Sequence, residues 1–165
     1  TIELSVIHEL PCTPAQFWET YWDKNYRDHL CQEAKLQEYR VLAEDDDEFR
    51  RTETVFISPA REVPPLVRRV LKNATAAFVE ERKWVKSESC LYWKVQPQAI
   101  EDRSNCEGTL RVVSTPTGCQ RILKGVISVR IMGVGTLVER LIAHNVNDSF
   151  ELSARLIAAW ETQSD

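Results

Sequence analysis

The sequence lacks an excess of basic residues: 21 Lys+Arg stand against 25 Asp+Glu, for a net charge of -4. Nucleic-acid binding as the main task is thereby disfavoured, because such modules are basic overall or carry a dense basic stripe. No uninterrupted apolar run approaches the roughly 20 residues of a membrane-spanning helix. No Cys-x-x-Cys occurs among the cysteines at 12, 31, 90, 106 and 119, and His29 with Cys31 is the only close Cys/His pair. A zinc site normally shows two short ligand spacings, so neither a metal nor any other cofactor is indicated. Gly-x-Ser-x-Gly, a glycine-rich phosphate loop and His-Glu-x-x-His are all missing, which removes the best-marked hydrolase, nucleotide and zinc-protease chemistries. Internal repeats, low-complexity tracts and linkers are missing too, so residues 1–165 read as one domain. Scattered thiols of odd number suit a reducing compartment, a cytoplasm or an organelle interior. The strand pattern starts at Thr1, which predicts a domain cut from something longer, its targeting segment removed. The sequons at Asn73 and Asn147 are read as chance matches.

What is present is a clear order of elements. Ile2, Leu4 and Val6 alternate with Glu3 and Ser5, the mark of a half-buried strand. Thr13-Pro14-Ala15-Gln16 is a capping box with proline at the first helical position. A short helix carrying Phe17, Trp18, Tyr21 and Trp22 follows, then a second over Asn25 to Cys31. Leu36 to Leu42 and Phe49 to Ile57 read as a hairpin around the acidic turn Glu44 to Glu48. That turn is taken as solvated rather than calcium-binding, since it lacks the glycine and glutamate spacing of a calcium loop. Strands over Ala76 to Val85, Leu91 to Val95, Thr109 to Val113 and Arg121 to Ile131 complete seven. Thr136-Leu137-Val138-Glu139 resembles a second capping box, and a helix free of Pro and Gly runs from there to about Glu161.

On that helix Val138, Ile142, Leu152, Leu156 and Trp160 share one side, at about 100° per residue. Asn145, Ser149 and Ser153 intrude on the same sector. Either they are satisfied locally, by bonds to a preceding carbonyl or a strand end, or they line a cavity. Strands clustered between helices predict an α+β design: a curved antiparallel sheet with helices on one face.

The chain resembles the START-like superfamily, whose helix-grip fold wraps a seven-stranded antiparallel sheet around a long C-terminal helix, with two short helices after the first strand. The resemblance rests on Ile7 to Pro14 with Phe17-Trp18, on Ile127 to Gly135 leading into the last helix, and on the element order. Arg61-Glu62-Val63-Pro64, Val67-Arg68 and Tyr92-Trp93-Lys94-Val95 are most similar to a bacterial branch of unassigned function. The resemblance implies a hollow between helix and sheet for a lipid, sterol, polyketide or isoprenoid-like ligand. It also implies a mouth guarded by the segment from Pro59 to Asn73. There Leu66, Val67, Val70 and Leu71 form an apolar edge backed by Arg68, Arg69 and Lys72, suited to transient contact with a membrane surface.

The first reading is therefore a carrier or sensor of a hydrophobic molecule, with no catalytic residues assigned. Its expected ligand contacts are Asn145, Ser149, Ile142, Leu152, Arg51, Trp93, Leu66 and Val70. Arg51 and Glu53, in phase with Val55 and Ile57, are expected to pair if they face the interior. Trp84 and Trp93 supply either pocket walls or core. The alternatives are a cyclase- or dehydratase-type enzyme using His8 and Glu53, and an interaction module whose hollow is filled by its own side chains.

Overall fold

The computed structural model describes residues 1–72 and 74–163. The alternation at the start of the chain becomes β1 (Ile2–Leu10), with Leu4 and Leu10 buried and the odd-numbered side chains exposed. The capping box forms as expected. Thr13 Oγ1 accepts from the Gln16 amide and Gln16 Oε1 from the Thr13 amide, starting α1 (Pro14–Tyr21). Asp23 caps α2 (Lys24–Glu33) by accepting from the amides of Asn25 and Tyr26.

The hairpin β2 (Leu36–Asp46) and β3 (Arg50–Pro59) runs further into the acidic stretch than the sequence pattern predicts. Glu44, Asp45 and Asp46 stay in ladder register, and Phe49 sits exposed in the turn. Asp47 makes the turn by accepting from the Phe49 and Arg50 amides. A short α3 (Pro65–Val70) precedes β4 (Phe78–Val85). A 3₁₀ turn then leads to β5 (Cys90–Pro97), and an irregular 3₁₀ segment over Gln98–Arg103 to β6 (Ser104–Thr115). The last strand, β7 (Gly118–Val129), leads into α4 (Gly135–Gln163).

All neighbouring strands are antiparallel, in the order β1-β7-β6-β5-β4-β3-β2. The helices lie on one face, so the architecture is the α+β helix-grip expected. Among the described residues, no helix is long and apolar enough to cross a membrane.

The second capping box does not form. The Glu139 carboxylate instead reaches the N-terminal ammonium of Thr1 (2.6 Å) and the Val129 amide, so it ties β1 and β7 to α4. Sequence spacing alone does not reveal a partner 138 residues away.

Two apolar clusters hold the helices. The larger joins Phe17, Trp18 and Tyr26 to Leu91, Trp93, Leu123, Ile127 and Ile157. The smaller packs Val67 and Leu71 of the α3 region on Ile100, Val129, Val134 and Val138.

Candidate functional site

Ladder register sets the concave face. One row across it reads Leu4, Gly125, Gly108, Trp93, Arg82 and Glu53. The two glycines make a flat floor for the Trp93 ring. A Cβ on Gly125 would stand 2.5 Å from the Trp93 ring, and one on Gly108 2.7 Å from it. Trp93 therefore fills part of the space beneath the helices, together with Phe17, Leu123, Ile127 and Ile157.

Beyond Trp93 the row turns polar. Glu53, 3% exposed, accepts from Arg27 Nη1 (2.6 Å) and from the Tyr39 hydroxyl (3.1 Å), with Arg82 Nη1 at 3.5 Å. Arg27 and Arg82 both donate to the Tyr39 oxygen, and Arg82 Nε donates to Glu80 Oε2 (2.9 Å). Burial works against the charge on Arg82, but Glu80, Tyr21, Tyr39 and Glu53 outweigh it and hold the guanidinium protonated. Burial pushes the Tyr39 phenol up to about 12, so its proton stays in place as a donor. Glu53 thus faces the interior as expected, but its partners come from α2, β2 and β4. Arg51 goes elsewhere: it stacks on Trp22 (4.4 Å) and lies 3.9 Å from Asp46.

A second polar group lies under α4. Arg121, 2% exposed, donates to Ser153 Oγ (2.8 Å) and to the Phe150 carbonyl (2.7 Å). His8 Nδ1 accepts from Arg121 Nη2 (3.2 Å), which leaves Nε2 to donate to Glu151 (3.3 Å). Burial lowers the Arg121 guanidinium to about 10. Sequence reasoning passed over Arg121, although it shares strand phase with the buried Leu123, Ile127 and Val129. His8 and Glu53 belong to these two separate networks. They lie five strand spacings apart, about 24 Å along the sheet. The structure does not bring them to a common atom.

The helix residues divide. Ser153 bonds back to the Phe150 carbonyl, the local satisfaction considered above. Asn145, half-buried, accepts from Arg61, which also approaches Asp148 (4.0 Å). Ile142 packs on both apolar clusters, Leu152 is half-buried, and Ser149 is exposed. In α3 the apolar edge splits. Val67 and Leu71 point inward, while Leu66 and Val70 are exposed. Asn73, the far end of the expected lid, lies outside the described residues.

Two clefts stand out among the described residues, and neither lies under α4. One, of about 660 Å³, is walled by Trp18, Trp22 and Trp84 with Arg51 and Lys86 at its rim; the other, of about 590 Å³, lies against strands β3 to β6 and includes Tyr92, Lys83 and Lys94. Trp84 stacks on both Trp18 (5.1 Å) and Trp22 (6.0 Å). The indole nitrogens of Trp22, Trp84 and Trp93 are buried with no hydrogen-bond partner among the described residues.

A family profile matches residues 5–160, nearly the whole chain. The chain belongs to the family described as Protein of unknown function (DUF2505). No curated protein matches this DUF2505 chain. Its fold is shared with TTHA0849 from Thermus thermophilus, at 17% identity and TM-score 0.65 over 96% of this chain and 98% of that one. Norcoclaurine synthase from Thalictrum flavum, solved with dopamine and hydroxybenzaldehyde, aligns at 14% identity and TM-score 0.64 over 95% and 87%. The Zhui aromatase/cyclase from Streptomyces sp. R1128 aligns at 10% identity and TM-score 0.62 over 96% and 90%. These are helix-grip proteins, so the START-like resemblance of the DUF2505 chain holds at the level of fold. At such identities the likeness carries the architecture and not the residues of a site.

Proposed function

We propose that this DUF2505 chain binds a small, largely apolar molecule bearing acceptor oxygens, between α4 and the concave face, and serves as its carrier or sensor. The observation that carries this reading is the buried indole donor of Trp93 on the concave face. An unmet donor costs about 1–3 kcal/mol, a cost that a ligand oxygen removes. The placing of α4 supports it. The helix packs chiefly on β1 and β7, and less closely on β3, β4 and β5. There Ile57 and Val95 supply an apolar wall, and the Glu53 network supplies a polar end. Ile142, Leu152 and Asn145 border that space from the helix, and Trp93 from the sheet. The segment before α3 closes it, latched to α4 by Arg61 and Asn145. A lipid, sterol or isoprenoid-like molecule fits such walls, and its exchange would bring the protein briefly to a membrane.

Titration of the intrinsic tryptophan fluorescence with oleate, cholesterol and geranylgeraniol tests the reading. Saturable quenching by at least one probe is expected. Trp93→Phe, which keeps a ring but removes the donor, should weaken that binding roughly fivefold, the worth of about one hydrogen bond. No saturable quenching by any probe, together with a Trp93→Phe protein more stable than the parent, would overturn it.

A further inference from the structure

One end of the molecule is unlike the rest. β3 and β7 run in the same direction, so α3 and the turn between β7 and α4 leave the sheet at the same end. They also share a core, Val67 and Leu71 packing with Ile100 and Val134. With that edge of α3 turned inward, its other edge projects Leu66 and Val70, 51% and 46% exposed. At the same end the turn projects Met132, the only methionine of the chain, at 97% exposure. A thioether so exposed contributes nothing to packing within this chain. The surrounding charge is reversed as well. Residues 60–72, 98–103 and 130–137 hold six Lys or Arg and three Asp or Glu, in a chain of net charge -4. Arg68, Arg69, Lys72 and Arg130 are all exposed around the apolar tip.

We infer that this end docks on an anionic lipid surface, Met132, Leu66 and Val70 entering the headgroup region while the ring of basic residues meets the phosphates. An apolar tip within a basic collar matches the two attractions such a surface offers, apolar burial and the negative surface potential. The inference takes from the proposed function its reason for visiting a membrane. Its physical basis, exposure and charge, is independent of any bound ligand.

Co-sedimentation with vesicles of phosphatidylcholine and phosphatidylserine, about two to one, tests it beside vesicles of phosphatidylcholine alone, with no ligand added. The protein should bind the anionic vesicles and release as salt rises from about 0.01 to 0.15 M, where the Debye length shortens from about 30 to about 8 Å. Arg68→Glu with Arg69→Glu should weaken binding at least about tenfold, given the attraction of each basic group near an anionic surface. Met132→Asp should weaken it comparably, and all three side chains are exposed enough for the fold to survive the change. Wild-type protein that ignores anionic vesicles overturns the inference. So does binding that the variants leave untouched, or a tip that pairs copies of the chain and loses only that pairing in Met132→Asp. Because no ligand is present, failure here leaves the quenching titration to decide the ligand reading separately.

Discussion

Glu53→Gln isolates the charge of the buried network while keeping an oxygen able to accept the same hydrogen bonds. In the native protein Glu53 faces Arg27 at 2.6 Å and Arg82 at 3.5 Å. Neutralising it leaves two guanidinium groups crowded around one phenol, with Glu80 as the remaining counterion on the Arg82 side among the described residues. Breaking one partner of a buried ion pair costs about 3–5 kcal/mol, since the remaining charge stays desolvated. For a chain of this length that corresponds to a fall in Tm of roughly 6–20 °C. Urea unfolding with linear extrapolation gives the number directly. Adding Arg27→Met to Glu53→Gln should return at least about 1 kcal/mol, because the excess cation is removed. A loss below about 1 kcal/mol for Glu53→Gln alone, with no rescue, would refute the network as a buried charge cluster.

Other outcomes follow from the same geometry. Gly125→Ala should cost about 1–3 kcal/mol by overpacking, and shortening Trp93 to Leu should recover part of it, since the methyl would stand 2.5 Å from that ring. Gly108→Ala should show less rescue, because its methyl would also meet the Lys124 carbonyl oxygen at 2.0 Å. Burial pushes the Cys12 thiol up to about 12 and the Cys106 thiol up to about 11, against 9.0 for an ordinary thiol. These folded-state values are raised, so stability is full below pH 9. It should then fall by up to about 1.4 kcal/mol per pH unit per thiol as the unfolded chain ionises first; urea midpoints that stay flat from pH 8 to 11 would contradict this. Arg61→Ala should leave global stability within about 1 kcal/mol, its contacts being exposed, yet speed amide exchange over residues 60–72 in exchange mass spectrometry.

Local signals carried most of the architecture. Thr13 and Gln16 cap α1 because both partners lie within one turn, and the even-numbered residues of β1 face inward because strand period is two. Where partners are distant in sequence, spacing misleads. Glu139 has the position of a capping-box glutamate and bonds instead to the N-terminus. Glu53 was legible as an inward acid, but its partners Arg27 and Arg82 come from a helix and the neighbouring strand, whereas Arg51 only shares its strand phase. The inward phase of Glu80, Arg82 and Trp84 on β4, and of Arg121 on β7, was open to the same reading. In α3, one and a half turns with four apolar residues do not say which edge turns inward; packing on Ile100 and Val134 chooses Val67 and Leu71.

The ligand reading requires the interior between α4 and β3–β5 to hold a guest molecule. Native mass spectrometry of the protein purified from its own source organism measures that directly. A bound apolar species of discrete mass, lost when the protein is unfolded and reduced in Trp93→Phe, is the result expected. A single mass equal to that of the unliganded polypeptide, unchanged after incubation with a lipid panel, would contradict it.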